Sequence, residues 1–354
     1  MTGADRTDRR RVIESARRSI ERVLLGGDRR YRRDQVLELA GVPFERGHEL
    51  WRALGFSSVS DDAVVFTDGD VEALRTTYEL ISSGLLDPAA ALSTARMQGQ
   101  FLSRLAEWQV SLLQDVLAAN PELAADERQL VRLLERLIPD QERLQNYVWR
   151  RHLAAYAGRT LAAGQPMEAG NLVVGFADMV GFTRLTRRSD EADLIQVVDL
   201  FDTVTAEVVS EHGGRIVKMI GDEVLFVADT PARGAEVGLR LVERAESEDG
   251  LPPLRAGLAY GRVLSRFGDV YGSVVNIAAR LTSVARPGTI LVDVGMADAL
   301  TGESAFTLRS RRPVSVRGFA RLKPSVLRRT GPVGTPHIPL EPADPPIRSP
   351  RRNR

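Results

Sequence analysis

Two aspartates in this chain stand where strands should end. The run "NLVVGFADM" is apolar enough for a buried strand and delivers Asp178 just before a glycine-containing turn. Further on, "RIVKMI" and "EVLFVA" flank Gly221 and Asp222, the spacing of a hairpin with a two-residue turn that presents Asp222 at its tip. Either aspartate alone reads equally well as a turn residue or a helix cap. Together, two strand-end carboxylates in one small domain can bridge a pair of Mg2+ ions that clamp a triphosphate, because hard cations take oxygen ligands and keep sites free for phosphate oxygens. A third stretch, "GDVYGSVVNIAARL", holds Asp269, Asn276 and Arg280. Asn276 and Arg280 share a face of a predicted helix, where an amide and a guanidinium can hold a ribose and the charge on a transferring phosphoryl group. In isolation the same pair is ordinary helix surface.

Lys218, four places before Asp222, adds a further signal. It is one of two lysines among 48 basic residues, so arginine is the cation used nearly everywhere else. The formal charge of +1 argues against a globally basic nucleic-acid binder. With no cysteine there is no disulfide, thiolate zinc site or cysteine nucleophile, and the four histidines have no metal-ligand spacing. No Walker-type glycine-lysine loop occurs. The start, "MTGADRTDRRR", is charged where a signal peptide needs an apolar core, and no window has the uncharged length of a membrane span, so a cytoplasmic protein is expected.

The elements that must position these residues fall in the second half of the chain. A length of 354 residues predicts about two domains at roughly 150 residues each. Residues 1–163 carry apolar residues at helical spacing and few strand signals. Within them, about 31–76 reads as a helix-turn-helix-like segment with its turn at Gly41 to Pro43, followed by a short strand and another helix. Its second helix carries Glu45 and Glu49, which oppose phosphate contacts, so DNA is not the expected partner. Long helices are predicted over about 89–119 and 126–161, the latter broken at Pro139 with a fresh start there. A Gly/Pro-containing segment, 162–170, leads into alternating strands and helices over 164–330: strand 171–178, helix 190–211, hairpin 215–228, helix 231–246, strands near 254–266, helix 273–284 and strand 288–293. That order is an α+β or α/β sandwich on one sheet. Residues 331–354 are rich in proline and arginine and read as a disordered tail.

The set F-x-D-x-x-G-F-T, K-x-x-G-D and D-x-Y-G-x-x-V-N-x-A-x-R resembles the catalytic domain of class III nucleotidyl cyclases, in that family's order and over nearly half the chain. The resemblance implies an α+β fold with a ferredoxin-like βαββαβ core, working as a head-to-tail homodimer with sites at the subunit interface. It assigns Asp178 and Asp222 to two Mg2+ or Mn2+ ions, Lys218 and Asp269 to the base, and Asn276 and Arg280 to the transition state. Adenine offers an acceptor at N1 and a donor at N6, which Lys218 and Asp269 complement, whereas guanine requires the reverse pair. A lysine supplies one flexible donor where an arginine fork would overfill the pocket. The implied activity is an adenylate cyclase that converts ATP to 3',5'-cyclic AMP and pyrophosphate.

One departure is that Phe319, in "VRGFARLK", stands where some relatives have a phosphate-binding lysine. Arg317, Arg321 or Lys323 could substitute, or the strand is simply basic and solvated. The rival readings are a diguanylate cyclase, opposed by Ile220 in place of a needed glycine, and a non-catalytic nucleotide sensor or transcription regulator. The amino-terminal half resembles the all-α regulatory domains ahead of actinobacterial cyclases, which implies autoinhibition and a small-molecule, lipid or pH signal.

Overall fold

The computed structural model describes residues 17–57, 59–163, 169–316 and 319–331. The Pro/Arg-rich tail beyond 331, most of the 162–170 segment and Arg317 lie outside the described residues. The chain divides into two compact units, Met1–Ala163 and Gly164–Arg354.

The first unit is helical. After a helix over residues 17–24 come α1 (Arg33–Ala40), α2 (Phe44–Ala53), α3 (Asp68–Ser82), α4 (Pro88–Ala119), α5 (Pro121–Ala125) and α6 (Glu127–Ala163). Val36, Leu37, Leu50, Phe66, Val71 and Leu74 form its core. Thr67 and Asp70 close a capping box at the start of α3, and Asp87 caps α4 just ahead of Pro88, which needs no N–H donor there. The short strand expected before α3 is reduced to an isolated bridge between Tyr31 and Phe66. Pro139 does not break its helix either. It lies inside α6, where it forfeits one backbone hydrogen bond while the strong helix formers on both sides keep the helix continuous.

The second unit follows the order β1 (Ala169–Met179), α7 (Phe182–Leu185), α8 (Glu191–Glu211), β2 (Gly214–Ile220), β3 (Glu223–Ala228), α9 (Pro231–Ser247) and β4 (Leu254–Arg266). With the one-turn α7 set aside, this is a βαββαβ core with sheet order β2-β3-β1-β4, antiparallel throughout. Then come β5 (Asp269–Tyr271), α10 (Ser273–Val284), β6 (Ile290–Val292), α11 (Val294–Ala299), β7 (Phe306–Ser310), β8 (Val314–Val316), β9 (Phe319–Leu322) and β10 (Ser325–Arg329). Strand β6 joins β4 in parallel, β10 and β7 extend the sheet, and β8 and β9 form a separate hairpin.

Side chains alternate across β1, and the two faces receive different helices. Val173 and Ala177 pack with Phe201 and Val204 of α8 and with Val237 and Leu241 of α9. Val174 and Phe176 pack with Val274 and Ala278 of α10. Gly257 sets how closely α10 approaches: a Cβ there would lie 2.4 Å from the Thr282 nitrogen and 2.5 Å from the Ala278 oxygen. On the other face, Arg329 of β10 donates two 2.7 Å hydrogen bonds to Glu236 of α9, whose side chain is 2% exposed. Among the described residues no helix is long and apolar enough to cross a membrane.

Candidate active site

Asp178 is the second-last residue of β1, opposite Glu223 of β3 on one side and Arg255 of β4 on the other. Asp222 follows Gly221 in the hairpin turn, where a positive φ of 65° at the first central residue suits glycine and keeps the loop to two residues. The Met179 N–H donates to the Asp222 carbonyl at 3.0 Å, so the two sequence-predicted carboxylates are neighbours.

Three acidic groups converge here, and the structure prices them differently from isolated carboxylates. Burial raises the Asp178 carboxyl above its usual range, Arg255 opposes the shift, and the nearby Asp222 charge adds to it. Glu223 is pushed up to about 7, first by burial and then by Asp178 and Asp222. Arg255 answers part of this charge: its Nε and Nη2 donate to Asp178 Oδ2 at 2.7 and 2.5 Å. Its Nη1 reaches the Ser283 carbonyl of α10 at 3.3 Å.

The oxygen-only donor set of Asp178 and Asp222 suits a hard divalent cation. Among the described residues no group of three or more His, Cys, Asp or Glu forms a ready metal cage. Two protein carboxylates leave the remaining positions to water and substrate phosphates, the usual arrangement for Mg2+ bound with a nucleotide.

At the β2–β5 edge, Lys218 Nζ donates to Asp269 Oδ2 at 2.6 Å. A bulge between Ile216 and Lys218 interrupts the strand's alternation, a device that re-aims side chains. The other Asp269 oxygen accepts the Val270 N–H at 2.8 Å. Burial opposes ionisation of Asp269, but Lys218 and the Val270 N–H outweigh it and hold the carboxyl below its usual range.

Asn276 and Arg280 project from α10 on the side away from Val274, Ala278 and Leu281, which are buried. Neither side chain has a hydrogen bond or ion pair among the described residues. Thr282 Oγ1 donates to the Phe176 carbonyl at 3.3 Å and to the Ala278 carbonyl at 3.0 Å, pinning the helix to β1. The six predicted residues therefore form three sets, each assembled within itself and none hydrogen-bonded to another. Phe319 opens β9, and Arg321 and Lys323 are exposed.

Sequence reasoning missed Arg255 and Glu223. Both meet Asp178 only through strand register. The available signals were an arginine in the otherwise apolar "LRAGLAYG" and an acid directly after Asp222.

Residues 165–328 match the family described as the adenylate and guanylate cyclase catalytic domain. The chain is 41% identical over 325 residues to an adenylate cyclase of Glutamicibacter nicotianae, covering 86% of this chain and 80% of that protein. It is 44% identical over 284 residues to an adenylate cyclase of Streptomyces coelicolor, covering 79% and 74%. It is 32% identical over 304 residues to a pH-sensitive adenylate cyclase of Mycobacterium tuberculosis, covering 79% and 72%.

Proposed function

The chain belongs to the adenylate and guanylate cyclase family, and we propose that it is the adenylate cyclase its sequence describes, converting ATP to 3',5'-cyclic AMP and pyrophosphate at a site shared by two copies. The observation that carries the choice of ATP is the Lys218–Asp269 pair. It offers one donor and one acceptor side by side, the complement of adenine's N1 and N6.

The ribose 3'-hydroxyl gives up its proton to solvent and its oxygen attacks the α-phosphorus, the bond from that phosphorus to the oxygen bridging to the β-phosphate breaks, and pyrophosphate leaves with that oxygen. Asp178 and Asp222 would hold two Mg2+ or Mn2+ ions, which supply Lewis-acid polarisation of the attacking oxygen and charge neutralisation at the phosphates. The remaining work belongs to the chain. Lys218 and Asp269 orient the base and so fix the ribose relative to the phosphates, converting the attack into a positioned intramolecular step. Asn276 holds the ribose, and Arg280 stabilises the charge that develops on the α-phosphoryl oxygens.

A homodimer is favoured by the apolar surface near the Lys218–Asp269 pair and by the lack, among the described residues, of any hydrogen bond joining the three sets into one site. Ile220, Phe267 and Tyr271 are 45, 43 and 48% exposed at the tips and edge of the β2–β3 and β4–β5 hairpins, a surface that a second copy would cover. In this arrangement one protomer supplies the two aspartates and its partner supplies the other four residues.

The test mixes an Asp178→Ala chain with an Arg280→Ala chain. Each is inactive alone, and the mixture regains cyclic AMP formation through one intact site per heterodimer. No recovery, with heterodimers demonstrated, would end the shared-site assignment while leaving the activity itself open to direct assay.

The helical unit acts as a restraint in this proposal. Helix α6 ends at Ala163, directly ahead of the first catalytic strand at Ala169. Removing residues 1–163 should raise specific activity, and equal activities with and without them would dismiss autoinhibition.

A further inference from the structure

We propose that a cavity beside the C-terminal end of α10 binds a small organic phosphate at a site separate from the reaction. The cavity has a volume of about 430 Å³ and is bounded by the end of α10, strand β6 and the segment that follows β7. None of Asp178, Lys218, Asp222, Asp269, Asn276 or Arg280 lines it.

Its floor is apolar, with Leu291, Pro324 and Val326 buried. Its rim carries four guanidinium groups, Arg286, Arg309, Arg311 and Arg312, all exposed, and no acidic side chain lines it. Strand register builds part of this arrangement: Arg309 of β7 lies opposite Val326 of β10, and the Arg311 N–H donates to the Pro324 carbonyl at 2.9 Å. The four arginines make no side-chain hydrogen bond or ion pair among the described residues. Elsewhere in the same unit, Arg240, Arg255 and Arg329 are all paired with carboxylates. Like charges gathered around one hollow without counter-ions repel one another, and a bound anion relieves that repulsion.

The chemistry of the walls narrows the ligand. A carboxylate brings one negative charge to four cations, whereas a phosphate monoester brings nearly two and three acceptor oxygens that match the guanidinium fork. The volume falls in the range of small-molecule sites and exceeds what a bare anion fills, so the apolar floor would seat a carbon skeleton. No aromatic side chain lines the wall, so a nucleobase would find only the guanidinium planes to stack on, and those are the groups the phosphate engages. The ligand class is therefore a phosphate monoester on a sugar or aliphatic body.

The full-length chain is titrated calorimetrically with glucose 6-phosphate and glycerol 3-phosphate at low salt, and by sedimentation with vesicles containing phosphatidic acid. Arg280→Ala is run in parallel to remove the anion contact of the reaction site. The expected result is saturable binding that Arg280→Ala leaves intact and that Arg309→Gln with Arg311→Gln weakens by about tenfold or more, as expected on losing charge-assisted contacts. Arg286→Gln with Arg312→Gln should do the same and guards against misfolding of the first pair. Binding to vesicles alone, lost in the same variants, would assign the phosphate to a lipid headgroup; binding to the soluble esters would assign it to a metabolite. The proposal is overturned by no saturable binding of any probe, by binding that survives both double substitutions, or by binding lost in Arg280→Ala. The first of these would leave the arginines as guards of an exposed sheet edge.

Discussion

Asp178 and Asp269 each stand beside a cation, yet the two regions hold their carboxylates in opposite ways. At the end of β1, burial and the nearby Asp222 charge raise the Asp178 carboxyl above its usual range, and Arg255 compensates only in part. At the β2–β5 edge, Lys218 and a backbone N–H overcome the burial of Asp269 and keep it charged. The first region has negative charge in excess of its counter-charge, which a divalent cation can relieve. The second is already balanced, and what it stores is a donor and an acceptor at fixed spacing. In the proposed reaction the first site recruits a cation and the second reads the base.

Substituting the recruiting site should cause the largest loss. Asp178→Asn is expected to lower the rate of cyclic AMP formation by about 10³-fold, since a polarising cation is worth several kcal/mol in the transition state. The loss should persist at saturating ATP. A variant that keeps near-normal turnover would mean that Asp178 serves only to pair with Arg255.

A smaller effect is expected at the reading site. Lys218→Glu combined with Asp269→Cys should reduce the preference for ATP over GTP by roughly 10- to 100-fold, the cost of mispairing donors and acceptors against the base. Competitive assays with both nucleotides measure this ratio directly. An unchanged ratio would transfer base selection to other residues.

The smallest effect separates folding from chemistry. Burial works against the Glu236 carboxylate, but Arg329 and Arg240 outweigh it and hold its pKa below the ordinary 4.5. A depressed folded-state value gives stability that is fully present above the unfolded value and disappears as pH falls through the folded one. Glu236→Gln should therefore cost about 1.5 kcal/mol near neutrality, the worth of a charge-assisted hydrogen bond. The thermal midpoints of variant and parent should converge in acid, and a constant gap down to low pH would contradict the ion-pair account.

The six candidate site residues are legible in the sequence because their chemistry is written locally. Asp222 sits in a two-residue turn, Asn276 and Arg280 are one helical turn apart, and Lys218 stands out against arginine elsewhere. Arg255 was invisible because it lies 77 residues from Asp178 along the chain and meets it only through β1–β4 pairing. The break expected at Pro139 overrated a local penalty that a helix of 37 residues absorbs. Beyond the strand read at "VRGFARLK", strands β7, β8 and β10 are hidden because "FTLRSRRPVSVRGFARLKPSVLRR" mixes arginines and prolines into short alternating runs, which blurs the strand pattern.

At Gly257 the helix bearing Asn276 and Arg280 meets the sheet backbone to backbone, closer than any side chain there would allow. The positions of those two groups are therefore set by how the helix seats on β1 and β4. A methyl group added at position 257 would therefore pry the helix off the sheet and carry both residues out of place from within.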